Sequence, residues 1–137
     1  ALGISQLKKL PTFVQRRAMI KRLYDELLRD YAPLVQLLHN TPGCDAAWHI
    51  YPVLVDFKAL GKTRAEVMLA LRDAGIGTQV HYIPVHKQPY YAARYGDQHL
   101  AGAEAYYART LTLPIHALME EDHVPLVVEK FIEVLGL

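Results

Sequence analysis

Residues 63–91 read TRAEVMLALRDAGIGTQVHYIPVHKQPYY. Thr63 followed three positions later by Glu66 is a capping box, in which the two side chains satisfy backbone N–H groups left orphaned at a helix start. The pattern predicts a helix that buries Val67, Leu69 or Ala70, and Leu71. It ends at Gly75, the residue type best able to close a helix in a left-handed conformation. Gly77 to Tyr82 then reads as a strand. The strand runs into a loop that presents His81, Tyr82, His86, Lys87, Gln88, Tyr90 and Tyr91 within eleven positions. Loops held by a rigid scaffold are where binding chemistry concentrates. So many rings and donors in one loop suit a polar, planar or phosphorylated ligand.

Residues 46–57 are rich in aromatic and β-branched types: Trp48, Ile50, Tyr51, Val53, Val55 and Phe57. They predict a strand. Pro52 removes a ladder donor, so this strand is expected at a sheet edge or with a bulge. Towards the N-terminus, residues 1–9 read as the end of one helix and Pro11 as the first turn of another. Phe13, Ile20, Tyr24, Leu27 and Tyr31 recur at helical spacing and predict an amphipathic helix to about Asp30. Pro33, Asn40, Pro42 and Gly43 mark a loop. Towards the C-terminus, residues 101–109 predict a short helix and Leu111 to Ile115 a strand. Val124, Val127, Val128, Phe131, Ile132 and Leu135 predict a last helix from about Asp122. Three strands are too few for a doubly wound sheet. The expected class is α+β: a small, mainly antiparallel sheet built from 48–57, 78–82 and 111–115, with helices on one face.

The chain has 137 residues, 52% hydrophobic and 21% charged, enough for one domain with a real core. A formal net charge of +1 gives no argument for nucleic acid. Charge is uneven: residues 1–31 hold seven basic against three acidic side chains, and residues 118–137 hold one against five. Two solvated helix faces of opposite sign explain this; a phosphate-binding face on the first helix is the alternative. Cys44 is the only cysteine, so an intrachain disulfide is impossible, which fits a reducing cytoplasm. No apolar run approaches a membrane span. His81 and His86 lack the further ligands that a metal site needs. Hydrogen bonding to a ligand is the role assigned to them, against the alternative that they merely cap strand ends. His49 and His116 read as structural, and His39, His99 and His123 as surface residues. Tyr106 and Tyr107 read as packing; for Tyr90 and Tyr91 a ligand face and packing are both open.

The wording around His81 resembles a known family. So do residues 1–7 (ALGISQL), Ala103-Glu104, and residues 111–116 (LTLPIH). Together they are similar to the C-terminal part of the DegT/DnrJ/EryC1/StrS sugar aminotransferases, which use pyridoxal phosphate. The nearest likeness is to the branch that aminates a UDP-linked 4-keto-6-deoxy N-acetyl-L-altrosamine in pseudaminic acid biosynthesis. The resemblance implies the small domain of a fold-type I enzyme. It implies amino transfer from L-glutamate to a C4 keto group, for cell-surface polysaccharide or flagellin glycan synthesis, in a cytoplasmic homodimer. In this chain it leaves His81, Tyr82, His86, Gln88, Tyr90 and Tyr91 as the substrate-binding set. The Schiff-base lysine and the other cofactor-binding residues would precede Ala1. The chain is therefore expected to be a fragment, inactive alone, with residues 1–30 a helical linker to a cofactor domain. The alternative is a standalone, non-catalytic module that binds a nucleotide sugar or a protein.

Overall fold

A computed structural model describes residues 2–44 and 46–137. Ala1, expected inside a helix, and Asp45, expected in a loop, lie outside the described residues. Five helices and three strands follow in the order α1 (Leu2–Leu28), β1 (Val35–Leu37), β2 (Tyr51–Val55), α2 (Arg64–Asp73), α3 (Pro89–Tyr95), α4 (Ala101–Arg109), β3 (Thr110–Leu113) and α5 (His123–Leu135). The sheet order is β1-β2-β3, antiparallel throughout. The expected α+β class is the class observed.

The sheet differs from expectation in three places. β1 lies where the sequence predicts a loop. Gly77–Tyr82 is not a strand: only Gln79 pairs, through two backbone bonds with Thr112. And β2, the strand with Pro52, lies in the centre of the sheet. Pro52 opposes Thr112 on β3. The N–H and C=O of Thr112 both go to Gln79, so they point away from β2. In an antiparallel ladder such a pair exchanges no bonds, and the nitrogen of Pro52 must face the β1 side. β1 ends at Leu37, opposite Val53, one position short of Pro52. The missing donor therefore has no acceptor to fail.

The alternation of Thr110-Leu111-Thr112-Leu113 decides what lies on each face of the sheet. Leu111 and Leu113 oppose Val53 and Tyr51. They join Val55, Ile20, Tyr24, Leu28, Val67, Leu71 and the α5 residues in one buried cluster. α5 packs on both α1 and α2. Tyr24 and Tyr51 stack with ring centroids 4.6 Å apart, and Tyr24 donates to the Pro114 carbonyl at 2.9 Å. Thr110 and Thr112, with Pro52 and Leu54, form the other face, which is the one the loop and α4 reach.

α1 runs unbroken through Pro11. The expected break is absent: Pro11 and Leu7, whose carbonyl loses its helical partner, are both exposed, so water can serve the freed group. The buried stripe of α1 is Ile20, Tyr24 and Leu28; Leu27 faces outward. α2 has the predicted capping box, with the Thr63 hydroxyl accepting from the Glu66 N–H and the Glu66 carboxylate accepting from the Thr63 N–H at 2.7 Å. Val67 and Leu71 are its buried residues, while Leu69 and Ala70 are exposed.

Candidate functional site

The close of α2 aims the chain at the site. Gly75 sits at φ +80, its N–H bonds the Arg72 carbonyl, and the Ile76 N–H reaches back to Leu71. This is a Schellman close, and the apolar residue that seals it, Ile76, is buried. The chain then crosses to the polar face of the sheet, pairs once at Gln79, and enters a single helical turn at Val85–Lys87. Pro89 opens α3, a position whose fixed φ and missing donor suit the first turn.

The loop residues separate into two groups. His81 lies against the sheet: its Nδ1 is 2.9 Å from the Thr112 hydroxyl, and its ring meets Tyr82 edge-on. With Gln79, His49 and Thr112 it lines a concavity of about 250 Å³. Tyr82 is 72% exposed. His49, read as a core-edge residue, is instead exposed at the rim of this concavity.

The second group surrounds α3. Tyr91, Tyr95, Leu100 and His86 line a larger concavity of about 480 Å³. The Tyr91 and Tyr95 rings are stacked 6.4 Å apart, and Tyr90 stands edge-on to Tyr91. The Tyr90 hydroxyl accepts from Arg94 at 3.0 Å. Gln88 donates to the Ile83 carbonyl at 3.3 Å, so part of its amide serves the loop itself.

His86 is the buried member, 8% exposed, and its Nε2 faces a Glu104 carboxylate oxygen at 3.2 Å. The same carboxylate takes Lys87 Nζ at 3.3 Å, His99 Nδ1 at 2.7 Å and the Leu100 N–H at 3.3 Å. Burial pushes the Glu104 carboxyl up; the bonds from His86, Leu100 and Lys87, with the charge of His99, outweigh it and hold the group down at about 2. The Lys87 ammonium is held above its usual value, chiefly by its bond to Glu104 and against its own desolvation. In the sequence Glu104 stands out only within a matching piece, and His99 reads as a surface residue. No pattern marks them in the sequence: His86 and Lys87 come from a distant segment, and His99 and Leu100 meet Glu104 only through the first turn of α4.

A carboxylate whose folded pKa is below its ordinary 4.5 adds stability above that value and loses it as the pH falls towards its own pKa. The tie between the loop and α4 should therefore persist at pH 4.5 and open only as the pH nears about 2. The Leu100 amide resonance reports it, and a titration centred on 4.5 would contradict the assignment.

Among the described residues no three His, Cys, Asp or Glu side chains converge as metal ligands, and no helix is long and apolar enough to cross a membrane.

The model of the DegT/DnrJ/EryC1/StrS aminotransferase family matches residues 1–132. The chain belongs to that family. Among curated proteins it is similar to the spore coat polysaccharide biosynthesis protein SpsC of Bacillus subtilis, with 40% identity over 94% of this chain and 34% of SpsC. Among solved structures it is similar to Helicobacter pylori PseC, an aminotransferase involved in the biosynthesis of pseudoaminic acid: TM-score 0.89, 29% identity, 98% of this chain and 36% of PseC. The PLP form of Spr1654 from Streptococcus pneumoniae aligns with TM-score 0.85 and 28% identity, over 98% of this chain and 34% of that one. The chain thus has the fold of part of a PLP aminotransferase and spans about a third of the length of such relatives.

The family is PLP-dependent, yet the described residues do not fit the cofactor. Forming a Schiff base needs an unencumbered lysine amine. Lys21 is paired with Asp25, Lys87 with Glu104 and Asp97, and Lys130 with Glu133. Lys62, which borders a concavity beside α2, donates to the Val134 carbonyl. The remaining Lys8, Lys9 and Lys58 are exposed and line neither of the two concavities beside the loop.

Proposed function

We propose that this chain is the small C-terminal domain of a sugar aminotransferase, with α1 as the helical link to a domain that carries pyridoxal phosphate. The intact protein moves an amino group from L-glutamate to the C4 keto group of a nucleotide-linked 4-keto-6-deoxy sugar, with UDP as the nucleotide. It works as a homodimer in the cytoplasm, and its product feeds a cell-surface glycan of the pseudaminic acid type. The chain's own task is substrate binding. His81, with Gln79 and Thr112 behind it, offers polar groups to sugar hydroxyls or phosphate. Tyr82, Tyr90 and Tyr91 offer flat faces with hydroxyls at their edges, the surface that a planar base stacks on. Gln88 and His86 complete the loop, His86 with only its Nδ1 side left after Glu104 has taken Nε2.

The observation that carries this reading is the gathering of the loop on the polar face of the sheet, flanked by two concavities, in a domain similar to PseC. A crystal structure of the intact protein with a UDP-linked keto sugar tests it. The sugar or nucleotide should lie within hydrogen-bond distance of His81 and against at least one of Tyr82, Tyr90 and Tyr91. A ligand bound with residues 81–91 beyond contact would overturn it.

A further inference from the structure

The geometry points to Glu104 as the positioning residue of the substrate loop: it fixes His86 as the Nε2–H tautomer and ties two separate segments to one carboxylate on α4. The inference rests on the reading of residues 81–91 as a substrate-binding loop. An ionised carboxylate only accepts hydrogen bonds, so the His86 nitrogen facing it must donate. A neutral imidazole with its proton on Nε2 keeps Nδ1 as an acceptor, and the bond at one nitrogen sets what the other can do. Nδ1 makes no hydrogen bond to the other described residues, and His86 lines the concavity beside Tyr91 and Tyr95. Glu104 thereby decides, from α4, which group His86 offers there.

The mechanical side is equally specific. His86 and Lys87 come from the single turn after Pro84, and His99 and Leu100 from the segment between α3 and α4. All four meet one side chain on α4. α3, with Tyr90 and Tyr91, is strung between these two anchors and makes no other tie to Glu104. Releasing the carboxylate loosens both ends of α3 together and leaves only the exposed Lys87–Asp97 pair across them. An amide at this position can still accept at one oxygen, but it carries no charge and cannot serve all four donors.

Glu104→Gln tests this with two readouts. In the 137-residue chain, the two ring nitrogens of ¹⁵N-labelled His86 should show one fixed tautomer, protonated at Nε2. Glu104→Gln should replace that signature with an averaged one. In the intact protein the same substitution should raise KM for the nucleotide sugar roughly tenfold, the loss expected from a charge-assisted bond, with KM for L-glutamate and kcat within about twofold. Glu104→Asp keeps the charge but draws it back by one methylene, and it should give the same averaged imidazole; it serves if the glutamine variant folds poorly. An unprotonated Nε2 in the parent chain overturns the inference. So does an unaltered imidazole signature in both variants, or an altered one with sugar KM unchanged while His81→Ala still impairs sugar use. If His81→Ala also leaves sugar kinetics untouched, the substrate reading of the loop fails, and the imidazole result alone decides whether Glu104 sets His86.

Discussion

Phe131→Ala should destabilise the 137-residue chain by about 3–5 kcal/mol, the usual cost of emptying a large aromatic site in a packed core. Phe131 is fully buried in the middle of α5. That helix presents Val124, Val127, Val128, Phe131, Ile132 and Leu135 to the interior and contacts both α1 and α2. It packs across α1 and α2 within the one buried cluster, so a void there is bordered by several elements that cannot all collapse inward. A domain of this size has only about 5–15 kcal/mol of stability to lose. Urea unfolding should show a lower midpoint at an unchanged slope. A loss below about 1 kcal/mol would mean that the core has been misplaced.

The second large effect is kinetic. His81→Ala in the intact protein should lower kcat/KM for the nucleotide sugar roughly ten- to hundredfold, because a lost hydrogen bond to a charged group is worth about 1.5–3 kcal/mol. Half-buried His81 has Nδ1 engaged by the Thr112 hydroxyl, which leaves Nε2 for a ligand. Its removal opens no core cavity, so the melting temperature should barely move. Cofactor absorbance should be unchanged, since the proposed arrangement puts the cofactor on another domain. His86→Ala should behave differently. Its ring is buried on Glu104, so melting temperature and sugar KM should both change. Unaltered sugar kinetics in His81→Ala would remove that residue from the binding set.

The sequence announces those features whose physics is local. The Thr63–Glu66 box and the Gly75 close are complete within a few residues of chain, and both stand as read. The α5 stripe is legible for the same reason: its period is that of the helix. Leu111–Leu113 alternates cleanly because one face meets the core and the other meets polar groups. What the sequence hides is decided by pairing across distance. Val35–Leu37 is too short to show a period, and becomes a strand only because β2 lies beside it. Pro52 argues for an edge, and the argument fails because β1 stops one residue short of it. Gly77–Tyr82 has the composition of a strand but finds a partner only at Gln79. In the site, the histidines and tyrosines of the loop are plain to see. Glu104 is not, since His86, Lys87, His99 and Leu100 surround it only once α3 and α4 have folded back.

The role proposed for this chain is to bind a keto sugar nucleotide for amino transfer. The most direct measurement incubates the intact protein, loaded with pyridoxal phosphate, with L-[¹⁵N]glutamate and a UDP-linked 4-keto-6-deoxy sugar. Mass spectrometry and NMR should find the label as an amine on C4 of the sugar, with 2-oxoglutarate formed in equal amount. Glutamate consumed without label on any nucleotide-linked keto sugar would contradict this role.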